Sequence, residues 1–147
     1  MVSLSKSARY ALYAATEMAM AGPGDQVTVA RVAQRYRIPG GALAKVFQRL
    51  VRHGIAVGTR GAAGGYRLAR SPSQVTVLDV LSVFQPPRPP GQCLIADRSE
   101  PRCDDATGCR LRVLFDEVDE LARNTFASVT LETLIGRRGG MRTASGG

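Results

Sequence analysis

Ile55-Ala56-Val57-Gly58-Thr59-Arg60-Gly61-Ala62-Ala63-Gly64-Gly65-Tyr66-Arg67-Leu68 holds two short β-prone runs, Ile55 to Thr59 and Tyr66 to Ala69, either side of a segment with three glycines. Glycine takes up the backbone angles of tight turns at no steric cost, so the stretch predicts a β-hairpin. What precedes the hairpin gives it meaning. Gly40 to His53 reads as a helix, because Leu43, Val46, Phe47 and Leu50 fall at i, i+3, i+4 and i+7 and make one stripe against a core. Gly54 stands just past its end. A turn at Arg37-Ile38-Pro39 separates it from a shorter helix, Val29 to Tyr36, capped by Thr28 and packed through Val29, Val32 and Ala33. Helix, turn, helix and glycine-rich hairpin is the order of a winged helix-turn-helix. In that arrangement the second helix fits a DNA major groove and the hairpin reaches an adjacent one.

Working outward, Ser7 to Met20 forms a first helix, with Leu4, Tyr10, Tyr13, Ala14 and Met18 on an apolar side, and Ala21-Gly22-Pro23-Gly24-Asp25 stops it. On the other side Ser71-Pro72-Ser73 breaks the chain, and Thr76 caps a helix from Val77 to Phe84. The four prolines in Gln85-Pro86-Pro87-Arg88-Pro89-Pro90-Gly91 enforce extended backbone. Cys93 to Cys109 has no apolar period and is expected to be a loop. Leu111, Leu114, Phe115, Val118, Leu121, Ala122 and Thr125 then keep three-and-four spacing, one long helix expected to pack on a partner subunit. Thr130 to Ile135 reads as a short terminal helix. The expected architecture is mainly α with a small β-wing: a winged helix-turn-helix domain plus a long C-terminal dimerisation helix. It divides into the winged domain at 1–84, a proline-rich lead and cysteine loop at 85–109, the dimerisation and terminal helices at 110–135, and a disordered tail at 136–147.

Charge is divided in the same way. Residues 1–73 carry eleven Lys and Arg against Glu17 and Asp25, a net of +9, and the remainder carries nine against ten, a net of −1, which together make the chain's +8. A basic head on a near-neutral tail fits a polyanion partner, although a solvated cationic face gives the same count. No apolar run approaches the ~18 residues of a membrane helix, and Met1 to Lys6 lacks a signal peptide's apolar region, so a cytoplasmic protein with no membrane partner is expected. His53 is the single histidine. With no phosphate loop, paired-histidine metal helix or nucleophile elbow, the expectation is that the chain is no enzyme.

All three cysteines, Cys93, Cys103 and Cys109, lie in the one loop, spaced Cys-x9-Cys-x5-Cys. Thiolate sulfur is a soft ligand suited to iron–sulfur clusters, zinc or copper, and clustered cysteines in a reducing cytosol point to metal binding or redox sensing. The pairs of cysteines two apart that are usual at structural zinc sites are missing.

Tyr10-Ala11-Leu12, Phe47-Gln48-Arg49-Leu50, His53-Gly54-Ile55 and above all Arg60-Gly61-Ala62-Ala63-Gly64-Gly65-Tyr66-Arg67-Leu68 resemble the Rrf2 family of winged-helix regulators, over about residues 1–135. The resemblance implies a homodimer that binds near-palindromic double-stranded DNA, usually as a repressor, and that senses iron, redox state or nitric oxide through a two-iron or four-iron cluster on Cys93, Cys103 and Cys109. A metal-free regulator of the same fold, controlled by thiol oxidation or a partner protein, stays open beside it, and a small iron–sulfur carrier stands further off. The gap from Cys103 to Cys109 matches the family, whereas that from Cys93 to Cys103 is longer than is usual in its cluster-binding members. Arg112 stands where the family's iron–sulfur cluster regulator has a histidine ligand, and Arg9 where its nitric-oxide-sensitive repressor has an aspartate. The fourth ligand is therefore open among Asp97, Glu100, Asp104, Asp105, water or a small thiol. The rhizobial iron regulator likewise has no obvious fourth protein ligand.

By position, the expected DNA contacts are Gly41, Ala44, Lys45, Gln48, Arg49 and Arg52 on the third helix, with Arg60 and Arg67 on the wing. Gln48 can pair with adenine and Arg60 can enter a minor groove or meet a base edge. The other cations suit phosphate, which orients without reading sequence. Ala44 replaces a glutamate of the iron–sulfur cluster regulator, so that member's base preference does not transfer.

Overall fold

The computed structural model of the protein describes residues 4–61, 64–86 and 109–136. Helix α1 (Lys6–Met20) starts at Ser5, whose hydroxyl accepts the Ala8 N–H. It buries Ala8, Ala11, Ala14, Ala15, Met18 and Ala19 at the centre of the molecule. Alanine leaves almost no side-chain thickness, so several elements can close on this one helix. The expected apolar side is correct at Ala14 and Met18 and wrong at Tyr13, which is 45% exposed. Tyr13 instead stacks on Tyr36, with ring centroids 4.4 Å apart.

Helix α2 (Val29–Tyr36) is capped by the Thr28 hydroxyl, which accepts the Arg31 N–H at 3.2 Å. Arg37 ends it with a left-handed backbone (φ 53°), a conformation costing an L-residue about 1–2 kcal/mol. The turn is held by the Ile38 N–H donating to the Ala33 carbonyl and by burial of the Ile38 side chain. Helix α3 (Gly40–Arg52) comes next, with Leu43, Val46, Phe47 and Leu50 buried as expected. Burial of each is worth about 1.5–3 kcal/mol. Gly54 takes positive φ (74°), and the Ile55 N–H donates to the Leu50 carbonyl to close the helix end.

The wing is an antiparallel pair, β1 (Ala56–Thr59) and β2 (Gly65–Leu68), in register Ala56 with Leu68 and Thr59 with Gly65. Its other edge is also held. Val27 and Tyr66 exchange both backbone hydrogen bonds, at 2.9 and 2.8 Å. That contact explains the glycine at 65, since a Cβ there would lie 2.7 Å from the Val27 carbonyl oxygen. The Tyr66 ring stacks on Phe47 at 4.6 Å, which fixes the wing to the core side of α3.

Past a 3₁₀ turn at Pro72–Gln74, α4 (Val77–Phe84) opens with a reciprocal cap: Thr76 accepts from the Asp79 N–H, and Asp79 accepts from the Thr76 N–H. Helix α5 (Arg110–Ser128) packs against α4, and none of its residues is buried. The chain then returns to the domain. The Val77 N–H donates to the Val129 carbonyl and the Leu131 N–H to the Val75 carbonyl, both at 2.8 Å. Helix α6 (Leu131–Gly136) thereby places Leu131, fully buried, in the same core as Phe47, Leu43 and Val80. With it in place, α2, α3, α4, α6 and β2 all close on α1. The terminal helix, grouped by its sequence position with α5, thus packs into the core of the winged domain. The proline lead beyond Pro86, the loop carrying Cys93 and Cys103, and the tail after Gly136 lie outside the described residues.

Candidate nucleic-acid interface

The stripe that buries Leu43, Phe47 and Leu50 turns the opposite side of α3 to solvent. Gly41, Lys45, Gln48, Arg49 and Arg52 are exposed there, and Ala44 is half-buried. On the wing Arg60 and Arg67 are exposed. Between α3 and the wing runs a groove of about 560 Å³, with Gln48 and Val51 on one wall and Gly58, Thr59, Arg60 and Tyr66 on the other. Thr28 and Val29, at the start of α2, close one end. Sequence position brings neither α2's first residues nor Thr59 to this groove. They arrive there because Val27 pairs with Tyr66 and because the Thr59 hydroxyl donates to Gln26 Oε1 at 2.6 Å. Gly61, with φ of 122°, makes the bend that presents Arg60.

Two of the groups on this face are held locally. The Arg49 guanidinium lies over the Phe84 ring, 5.0 Å from its centroid. The Arg49 carbonyl, for its part, is 2.9 Å from His53 Nδ1. Arg35, by contrast, is paired with Glu17 at 3.1 Å, away from this face.

Glu17 is a structural tie beneath this face that the sequence conceals. It is 2% exposed, in the last turn of α1, and accepts the Tyr36 hydroxyl at 2.7 Å on Oε1. Burial, together with the hydrogen bond to this carboxylate and its charge, pushes the Tyr36 phenol up to about 12. Tyr36 is the last residue of α2, so the carboxylate fixes the point from which the turn to α3 departs. Its one sign in the sequence is an acid standing among alanines.

Of the cysteines, Cys109 is described. It is a partly exposed free thiol at the N-cap of α5 and makes no side-chain capping bond. Among the described residues no three His, Cys, Asp or Glu side chains gather in a way that could hold a metal ion. Helix α5 exposes Leu111, Val113, Leu114, Phe115, Val118 and Leu121, the last at 67%, with Thr125 also exposed and Ala122 half-buried. Val113, also exposed, stands two residues after Leu111 and so off the expected apolar face. Among the described residues no helix is long and apolar enough to cross a membrane.

A family model described as Rrf2, iron-dependent transcriptional regulator, matches residues 4–137. The HTH-type transcriptional regulator BadM of Rhodopseudomonas palustris is 36% identical over 133 residues, covering 90% of this chain and 80% of that protein. The HTH-type transcriptional regulator IscR of Xenorhabdus nematophila is 26% identical over 132 residues, covering 90% and 78%. Among solved structures, CymR, the global cysteine regulator of B. subtilis, shares the fold with a TM-score of 0.74 at 24% identity, covering 92% of this chain and 98% of that one.

Proposed function

The chain belongs to the Rrf2 family of transcriptional regulators, and from that premise we propose that it is a cytoplasmic, homodimeric repressor whose hold on DNA answers to iron or redox state through its three cysteines. The groove in which Gln48 of α3 and Arg60 of the wing stand on facing walls carries the DNA-binding part of this reading. A major groove about 12 Å wide admits a helix such as α3, and a hairpin beside it reaches the neighbouring groove. Lys45, Arg49, Arg52 and Arg67 offer charge to phosphates, Gln48 offers a bidentate partner for adenine, and Arg60 suits a narrow minor groove. The small Gly41 and Ala44 let the backbone of α3 approach the bases closely.

The apolar face of α5 supports a second copy as its partner. Leu111, Leu114, Phe115, Val118 and Leu121, flanked by Ala122 and Thr125, are spaced to meet their own equivalents across a two-fold axis. Two α3 helices held this way would address half-sites about one helical turn apart in a near-palindromic operator.

An iron–sulfur cluster fits the donor set: three soft thiols within seventeen residues, of which Cys109 is partly exposed and uncommitted to capping. Cys93, Cys103 and Cys109 would hold it, and when bound it supplies a centre sensitive to iron supply and oxidants. Cys109 precedes the first residue of α5, so gathering the three thiols at one point fixes where that helix begins, and α5 rests on α4. The same placement would let a metal-free thiol switch act on α5. Anaerobic purification with iron and sulfide analysis, followed by selection of operators from random duplex DNA, tests the proposal. Stoichiometric iron and sulfide with a selected palindrome is the expected result. A selected palindrome without iron would leave the thiol switch, and no selection at all would overturn the DNA reading.

A further inference from the structure

Arginine gives up rotamer freedom to hold one pose, and Arg49 is held in one by an aromatic ring. Its guanidinium lies 5.0 Å from the centroid of Phe84, the last residue of α4. The guanidinium carbon sits over the ring, a cation–π contact that uses none of the five N–H donors. Among the described residues no carboxylate stands within ion-pair distance of Arg49, in contrast to Arg35, which is committed to Glu17. Among the described residues nothing takes up these donors, so they stand available to an incoming anion while the side chain is already held against the ring. Phe84 is itself fixed: its ring packs on both apolar clusters of the core. The next residue, Gln85, accepts the Ser5 N–H on Oε1 at 3.0 Å, and its own N–H donates to the Leu81 carbonyl.

We infer that Phe84 is a positioning residue for DNA binding, presetting Arg49 of α3 to clamp a backbone phosphate. The inference rests on the reading of α3 as the DNA-facing helix. Ring and guanidinium together also tie the end of α4 to the reading helix, nine residues before Cys93 in the sequence.

A double-mutant cycle on the full-length protein tests this, using fluorescence anisotropy on an operator selected from random duplex DNA across a range of salt. Phe84→Leu keeps an apolar side chain in the core and removes the π-face. It is expected to weaken binding about 2- to 5-fold per protomer. Arg49→Ala is expected to lower the slope of log affinity against log salt by about one per protomer. In the Arg49→Ala background Phe84→Leu should then change affinity by less than about 1.5-fold, because the two act as one unit. Phe84→Tyr should restore wild-type affinity. An equal loss from Phe84→Leu in both backgrounds, or no loss with Arg49 present, would overturn the positioning role while leaving α3 at the DNA. If Arg49→Ala changed neither affinity nor slope, Arg49 would be off the DNA and the inference would fall with it.

Discussion

Replacing Tyr36 by Phe removes one hydroxyl and nothing else, and the surroundings of that hydroxyl set the cost. It donates at 2.7 Å to Glu17, whose side chain is 2% exposed. Without it the buried carboxylate keeps Arg35, whose own side chain is 54% exposed and so screened by water. Hydrogen bonds to charged groups contribute about 1.5–3 kcal/mol, and ion pairs open to solvent about 0–1 kcal/mol. Tyr36→Phe should therefore cost about 2 kcal/mol, and Arg35→Met less than about 1 kcal/mol. For a chain of this length the first corresponds to a fall of roughly 4–8 °C in Tm. Urea unfolding at fixed protomer concentration, monitored by far-UV circular dichroism because the chain has no tryptophan, measures both. The phenol is neutral when protonated, and its folded pKa lies above its unfolded value of 10.0, at about 12. The unfolded chain thus gives up this proton first. The contribution is whole below about pH 10 and is lost as pH rises through about 12, so wild type and Tyr36→Phe should converge over that window. If Arg35→Met cost more than Tyr36→Phe, or if the gap stayed constant to pH 12, the assignment of the hydroxyl as Glu17's main partner would be refuted.

The geometry sets three other outcomes. Gly65→Ala puts a Cβ 2.7 Å from the Val27 carbonyl oxygen and should cost about 1–3 kcal/mol by breaking that backbone pair, whereas Gly41→Ala meets nothing within 4 Å; thermal melts compare them, and equal stability would contradict the close approach. Leu121→Glu, at a position 67% exposed in the protomer, should weaken dimerisation by about tenfold or more in sedimentation velocity while leaving the circular dichroism spectrum unchanged; an undisturbed dimer would remove this face from the interface. Arg60→Ala should lower the salt slope of operator binding by about one per protomer, and an unchanged slope would take the wing off the phosphate backbone.

Much of the fold is written in local pattern. The stripe of α3, the threonine caps at Thr28 and Thr76, and the glycine hairpin each use residues whose physics acts within a few positions. What pattern hides are features made by tertiary contact. Val27 pairs with Tyr66 as a single residue, too short to announce a strand. The alanines of α1 carry little periodic signal, although their small size is what lets five other elements converge on that helix. Glu17 reads as a solvated charge until Tyr36 closes over it. Leu131 lies beyond a long helix yet sits in the first domain's core. The candidate interface divides in the same way. The exposed side of α3 is implied by its buried side, while the groove wall at Thr28 and Thr59 and the ring beneath Arg49 exist only once the chain is folded.

In the proposed mechanism the cysteines speak to the DNA-binding face. The most direct measurement is the dissociation constant of the anaerobically prepared protein for a selected operator, iron-loaded and after chelation, with Cys103→Ala alongside. Coupling between two sites in one protein typically changes affinity about 5- to 150-fold. A change in that range is predicted between the loaded and chelated forms, with Cys103→Ala matching the chelated protein. Equal affinity in all three would contradict the proposal that this regulator senses through its thiols.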